Sequence, residues 1–482
     1  MSKLYFVPGS QDLYGEECLR QVAADCRYMV DFLNEKLGDT ITIELLPTVE
    51  TADLCVQDMR KVMDDDDCCG VITWMHTFSP AKMWIKGLQL LQKPLLLLHT
   101  QANEKLPYDS IDMDFMNLNQ AAHGDREYSF ILAKLGIPHH VVAGYYQNEA
   151  VLEKIRRFAQ VAKAIGFSKN VTIATFGNNM RDVAVTDGNR LECQIKYGWE
   201  VKYWGIGEIA ELADAATDAE VDAKMAEYES KYTMATDNIE AVRTQARYEV
   251  AFDKFIAENK IAAFTDNFQD LHGLSQLPGV AAQNLMAKGI GFGPEGDYKT
   301  SALSAVFMKM AEGREGATGF IEDYTYDLTP GQELELASHM LEVPASFAAT
   351  KPEIQVHPLG IGGKADPARL VFDGVTGDGI QVTLIDLGDH FRLICAEIEL
   401  VKQPAPMPNL PVARIMYRHK PNFEIGTAGW CYAGGAHHAV VSTALTKEDM
   451  ALFAKLTGTE LVVIGEGTTE ADLDRIMLSN VR

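Results

Sequence analysis

The sequence predicts an α/β protein in three parts. These are an N-terminal doubly wound, parallel-sheet domain over 1–169, a second α/β domain over 170–315, and a C-terminal β-rich, barrel-like domain over 316–482. Three observations carry this. Short apolar runs alternate with helix-length stretches through the first third, a second such series opens near Asn170, and short β-rich segments separated by turn signals take over from about Gly316. A chain of 482 residues also exceeds what one common core accommodates.

In the first third, Leu4–Val7, Ile41–Leu46, Gly70–Trp74, Pro94–His99 and His140–Ala143 read as strands. The stretches Glu16–Leu37, Leu54–Met63, Pro80–Leu91, Leu118–Leu135 and Glu149–Ile165 read as the intervening helices. Strands of this length separated by helices indicate βαβ units, hence a parallel sheet with helices on its faces. The second part opens with strands Val171–Phe176 and Val201–Trp204, then two charged helical stretches, Ile209–Lys231 and Ile239–Glu258. The acidic residues from Glu208 to Asp222 read as a solvated helix face. In the last part Ala317–Tyr326, Arg369–Phe372, Ile380–Asp386, Phe391–Leu400 and Val412–Met416 read as strands, and a helix–strand–helix tail follows from Lys447. Gln403–Pro408, with three prolines, is a loop.

The formal net charge is −25. So acidic a chain repels phosphate backbones and anionic membranes, which argues against nucleic-acid and membrane-surface partners. The first residues, Met1 to Pro8, lack a secretory apolar region, and no stretch reaches membrane-spanning length. A cytoplasmic location is therefore expected. The eight cysteines form no C-x-x-C pair and no zinc spacing, and read as reduced, mostly buried thiols.

One glycine motif needs separating from the rest. Gly291-Phe292-Gly293-Pro294-Glu295-Gly296 fits G-x-G-x-x-G, but Met286–Ile290 before it makes a poor strand and the segment lies far from the N-terminal βαβ series. A dinucleotide site is not expected there. The same stretch places Glu295 and Asp297 beside glycines, just before a helix over about Ser301–Ala311. Glu322 follows at the end of an apolar segment, then His339, and much later the pair His437-His438 behind two glycines. Carboxylates and imidazoles together make a mixed oxygen–nitrogen set suited to Mn²⁺ or a related borderline divalent ion. Taken singly, each has an ordinary structural reading as well: a solvated loop glutamate, or a partly buried histidine with its ring satisfied.

Longer blocks tip that balance. Gly9-Ser10-Gln11-Asp12-Leu13-Tyr14-Gly15, His76–Trp84, Ser110–Gln120, Val183–Gly188, Asp270–Leu274, Glu295–Thr300 and Leu359–Lys364 resemble the L-arabinose isomerases, and the similarity runs the length of the chain. The resemblance implies an enzyme that converts L-arabinose to L-ribulose, with D-galactose to D-tagatose as a side reaction. It implies Mn²⁺ (or Co²⁺ or Mg²⁺) held by Glu295, Glu322, His339 and His438, with His437 left open as the ligand in place of its neighbour. It implies a sugar pocket drawn from Gln11, Leu13, Phe78, Gln120, His123, Met180, Phe268 and Ile361. It further implies a homo-oligomer, trimer or hexamer, in which a neighbour helps to close each pocket. The stretch His123–Glu127 departs from the pattern in having Asp125 where glycine is expected.

The reaction implied moves one proton between C2 and C1 and another between the two oxygens. A divalent cation on those oxygens stabilises the enediolate, and two carboxylates, Glu295 and Glu322, serve as the acid–base pair. A carboxylate on a metal loses basicity, so a metal-assisted hydride shift stands beside this route. The competing readings are a related isomerase of the L-fucose type and a non-catalytic sugar-binding protein.

Overall fold

The computed structural model describes residues 2–361 and 363–481. The chain divides into two compact units, Met1–Gly166 with Ala451–Gly458, and Phe167–Met450 with Thr459–Arg482.

The first unit holds a five-stranded parallel sheet: β1 (Lys3–Gly9), β2 (Thr42–Leu45), β3 (Cys68–Met75), β4 (Leu95–His99) and β5 (His140–Ala143), in the order β2-β1-β3-β4-β5. All eight residues of β3 are buried, as are the four leucines of β4. Strands covered on both faces carry no polar alternation, which is why these runs are almost wholly apolar, with Thr73 donating its hydroxyl to the Leu96 carbonyl. The helix Gly15–Leu37 buries Val22, Cys26, Met29, Val30, Leu33 and Leu37, one stripe at helical spacing. The strand order reverses between β1 and β3. Loops leaving the carboxyl ends of strands at such a point form a crevice, and here they carry Gln11, Leu13 and Phe78.

Two predicted helices of this unit are broken. Leu118–Leu135 is two helices, Met113–Leu118 and Ala121–Leu135. The Gln120 N–H donates to the His76 carbonyl at 2.9 Å instead of continuing the helical ladder, which fastens Gln120 to the loop after β3. Pro80–Leu91 shortens to a 3₁₀ turn, Ala81–Trp84, and one helical turn, Ile85–Leu88.

The second unit holds two sheets. The smaller is parallel, with β6 (Thr172–Phe176) and β7 (Glu200–Trp204) joined, after β8 (Thr233–Met234) of the larger sheet, by β9 (Ala263–Asp266) and β10 (Gly291–Phe292), in the order β10-β9-β6-β7. The stretch Ile209–Lys231 is two helices, Gly207–Asp214 and Asp218–Lys231. Thr217 and Glu220 form a capping box at the break, which satisfies the free N–H groups of the second helix.

The larger sheet contains β11 (Thr318–Asp327), β12 (Leu334–Ser338), β13 (Glu353–Val356), β14 (Ala368–Asp373), β15 (Gly377–Asp386), β16 (Phe391–Val401), β17 (Ala413–His419), β18 (His438–Ser442) and β19 (Glu460–Ile464), with β8 at one edge. The pairing of β16 with β17 closes β16-β15-β18-β11-β12-β17 into a ring, so these strands form a barrel. Strands β12 and β18 and the helix Phe423–Ala433 were not anticipated. Both strands are short and carry groups that belong elsewhere in a sequence reading: Glu335 within β12, buried against His419, and His438 at the start of β18. No helix of the described residues is long and apolar enough to cross a membrane.

Candidate metal centre

Glu295 lies in the loop between β10 and the helix Tyr298–Met310, with φ of 63°, and Gly296 follows at 81°. Two successive left-handed residues make a sharp turn. A side chain on Gly296 would meet the Asn179 Cα at 2.5 Å, so only glycine fits there. The Glu295 carbonyl accepts the Met180 N–H at 2.8 Å. A non-glycine residue held at positive φ is a strained position that the surroundings must enforce, a feature concentrated at functional sites.

The remaining groups come from adjacent barrel strands. Glu322 on β11 is register partner to Ser338 on β12 and to His438 on β18. His339 directly follows β12, and His437 directly precedes β18. Strand pairing therefore gathers residues that are scattered along the chain. His339 Nε2 lies 3.6 Å from Glu322 Oε2, His438 Nε2 3.8 Å from Glu295 Oε2, and His437 Nε2 3.7 Å from Glu295 Oε2 and 4.0 Å from Glu322 Oε1. The four ligands implied by the resemblance, and His437 with them, thus share one site. Ligand atoms of Glu295, His437 and His438 all fall within 4.8 Å of one another, a group that can hold a metal ion.

Each buried imidazole is held from behind by a carboxylate. His438 Nδ1 donates to Asp297 Oδ2 at 3.0 Å, and His339 Nδ1 donates to Glu342 Oε2. His438 Nε2 is buried and has no hydrogen-bond partner in the protein. With Nδ1 protonated toward Asp297, that atom presents a lone pair toward Glu295. A backing carboxylate that sets tautomer and ring orientation is the arrangement that metal-binding histidines use. The donor set and the orphaned nitrogen fit a divalent cation.

The electrostatics follow from crowding. Burial alone would raise the Glu295 pKa, but His437, His438 and His339 together hold it below the usual carboxylate range. Burial would lower His339, yet Glu342, Glu322 and Glu295 outweigh it and push the imidazole up to about 9. Asp297 is fully buried, and Lys299 and His438 nevertheless bring it down to about 2, so it stays a carboxylate. A cation among the same atoms competes with the protons on the imidazoles.

Aromatic rings close the back of the site. Phe320 sets its edge against His339 and His438, with centroids 5.3 and 5.6 Å away. Phe268 stacks on His339 at 5.9 Å, and Met180 packs against the same apolar cluster as Phe268. Ile361 is 42% exposed. Of the expected sugar-pocket residues, Met180, Phe268 and Ile361 belong to this unit, and the others to the first unit. There Phe78 and His123 stack at 4.5 Å, and His123 Nδ1 lies 3.2 Å from Gln120 Oε1. Leu13 is 82% exposed. Sequence reasoning passed over Phe320, the orienting role of Asp297, and Glu342. The spacing His339–Glu342 was visible, but no linear signal separates an orienting carboxylate from a solvated one.

Comparison with known proteins agrees along the whole chain. Protein-family models of the L-arabinose isomerase N-terminal, central and C-terminal domains match residues 1–170, 172–313 and 317–460. An L-arabinose isomerase of Oceanobacillus iheyensis is 49% identical over 468 residues, 96% of this chain and 98% of that protein. L-arabinose isomerase 2 of Bacillus licheniformis is 50% identical over the same shares. The L-arabinose isomerase of Shouchella clausii is 47% identical over 481 residues, 100% of this chain and 98% of its own. With a metal-competent cluster of acids and imidazoles and this likeness along its full length, the chain belongs to the L-arabinose isomerase family.

Proposed function

We propose that this protein interconverts L-arabinose and L-ribulose in the cytoplasm, with Glu295, Glu322, His339 and His438 holding a divalent cation, Mn²⁺ first among the candidates. The observation that carries the reading is the buried, unpartnered His438 Nε2, oriented by Asp297 and facing Glu295. Mn²⁺ rather than a softer ion suits a site that mixes carboxylate and imidazole. His438 is preferred to His437 as ligand because its Nδ1 is fixed by Asp297, whereas the His437 side chain is 38% exposed.

When bound, the cation supplies charge stabilisation for an enediolate forming across C1 and C2. The protein's own residues do the rest. Glu295 and Glu322 approach from two different strands and loops, so one can take and return the carbon-bound proton while the other serves the oxygens. Glu295, kept ionised by the imidazoles around it, is in the state a base requires. Phe268 and Phe320 limit water behind the histidines. D-Galactose, which matches L-arabinose around the reacting carbons, is a second substrate, giving D-tagatose. Gln11, Leu13, Phe78, Gln120 and His123 complete the pocket of a neighbouring copy in a homo-oligomer, trimer or hexamer. The 82% exposure of Leu13 and the exposed His123, stacked on half-buried Phe78, support that placement.

The test is to incubate chelator-stripped protein with L-arabinose, with and without Mn²⁺, and to follow L-ribulose. Ketose that forms only with metal supports the proposal. No ketose under either condition overturns it, and metal-independent turnover overturns the cation's part in it.

A further inference from the structure

Glu322 is followed by Asp323, whose side chain turns to the opposite face of β11, as strand geometry requires. There it is anchored from two other strands of the ring. Asp323 Oδ1 accepts the Tyr417 hydroxyl at 2.7 Å, and the Gln381 amide donates to Oδ1 and Oδ2 at 2.6 and 2.7 Å. Gln381 is on β15 and Tyr417 on β17, and both are essentially inaccessible to solvent. The Asp323 N–H donates to the His437 carbonyl at 3.0 Å. One residue therefore joins the barrel interior to Glu322, its neighbour within β11, and to His437 at the start of β18. Immediately beyond it, the β11–β12 register shifts between Asp323 and Thr325. The strand thus bends just after Glu322, and a bend needs something to fix its direction.

Stability is a poor explanation for this arrangement. Apolar side chains of similar size would fill the barrel interior at less desolvation cost than a carboxyl group with an amide and a phenol. What apolar packing cannot supply is directional hold on a single backbone position.

We propose that Asp323 is a positioning residue: through Gln381 and Tyr417 it fixes the β11–β18 junction so that Glu322 and the His437-His438 pair face Glu295. This rests on the metal-centre reading above. It places a residue that touches neither cation nor sugar in control of the geometry of the groups that do.

The experiment compares Asp323→Ala, Asp323→Asn, Tyr417→Phe and Gln381→Leu in the full chain. Three quantities are measured: the thermal unfolding midpoint, Mn²⁺ affinity by equilibrium dialysis without sugar, and kcat and KM for L-ribulose formation. Outer partners of metal ligands typically change affinity by about tenfold to a hundredfold. A loss of that size is expected in Mn²⁺ affinity for Asp323→Ala, and a smaller one for Tyr417→Phe and Gln381→Leu. kcat should fall with it while KM moves by no more than about twofold. Asp323→Asn keeps the shape, and Gln381 can turn its amide to match, so affinity and kcat should return to within about threefold of the parent. Unchanged affinity and kcat in Asp323→Ala, Tyr417→Phe and Gln381→Leu would overturn the proposal. So would losses in all four, Asn included, that simply track a falling unfolding midpoint, because that pattern marks a purely structural role. If Asp323→Ala does not fold, Tyr417→Phe and Gln381→Leu decide the matter alone. A parent that is inactive on L-arabinose, yet loses Mn²⁺ affinity in these variants, would sink the functional reading and leave Asp323 its role. An active parent with indifferent variants would do the reverse.

Discussion

Glu322 and His438 are register partners across β11 and β18, which sets a carboxylate and an imidazole from distant parts of the chain side by side. The pairing is made by main-chain hydrogen bonds, so neither side chain is needed to form it. Substituting the functional groups should therefore spare the fold. Glu295→Gln and Glu322→Gln are expected to lower kcat by about a hundredfold to ten-thousandfold, the range associated with losing a positioned acid or base. The far-ultraviolet circular dichroism should stay that of the parent. Turnover within a few-fold of the parent in either variant would remove that residue from the chemistry.

Asp297→Asn separates orientation from capping. Asn is as good a helix cap as Asp, so the hydrogen bond to the Thr300 N–H, now 3.1 Å, can persist. The amide then faces the His438 Nδ1–H with a donor of its own, and the ring loses its fixed tautomer. Mn²⁺ affinity, measured by dialysis, is expected to fall by about tenfold to a hundredfold. The thermal midpoint should fall too, because Lys299 loses the buried carboxylate 3.8 Å from its Nζ, so affinity is compared at a temperature where both proteins are folded.

Gly296→Ala and Gly289→Ala form a matched pair. Both glycines have φ near +80°, but a Cβ at Gly296 would collide with backbone at 2.5 Å, whereas nothing lies within 4 Å at Gly289. The backbone conformation alone costs about 1 kcal/mol when alanine replaces glycine. Urea denaturation should show roughly that loss for Gly289→Ala and a distinctly larger one for Gly296→Ala, with Glu295 displaced and activity lost. Equal losses would show that the turn at Glu295 can relax.

His140, in the first unit, has a buried Nδ1 without a partner, and burial lowers its pKa from 6.5 to about 4. The folded protein thus holds this ring neutral where the unfolded chain would protonate it. Its contribution to stability is complete above pH 6.5 and drains away as the pH falls toward 4. Urea midpoints at pH 7.5 and pH 5 should differ less for His140→Leu than for the parent. An identical acid-side drop in the two proteins would assign the loss to other groups.

Much of this architecture was legible because burial leaves a plain mark. The leucines of β4 and the largely apolar run of β3 read as strands of a sheet with helices on its faces, and Glu16–Leu37 read as a helix, whose stripe from Val22 to Leu37 is buried. The cysteines read correctly as unpaired thiols, and six of the eight are buried. Where polar groups sit inside, the reading failed. Glu335 and His438 concealed β12 and β18, because a buried acid beside His419 and a buried imidazole on Asp297 look, in one dimension, like surface residues. The break before Gln120 was hidden for a related reason, since its N–H bonds to His76, a partner remote in the chain.

The residue types at Glu295, Glu322, His339, His437 and His438 were determined by the sequence, and with them the kind of ion and chemistry they suit. Their family was determined there too, since blocks such as Glu295–Thr300 survive as linear text. Only the tertiary structure decided that these five groups meet, because their proximity depends on strand register and on a left-handed turn at Glu295. It alone decided that Asp297 and Glu342 orient the imidazoles and that Asp323 faces Gln381 and Tyr417. Hydrogen bonds between side chains distant in sequence leave no periodic trace along the chain, and only closing the barrel brings their donors and acceptors within reach.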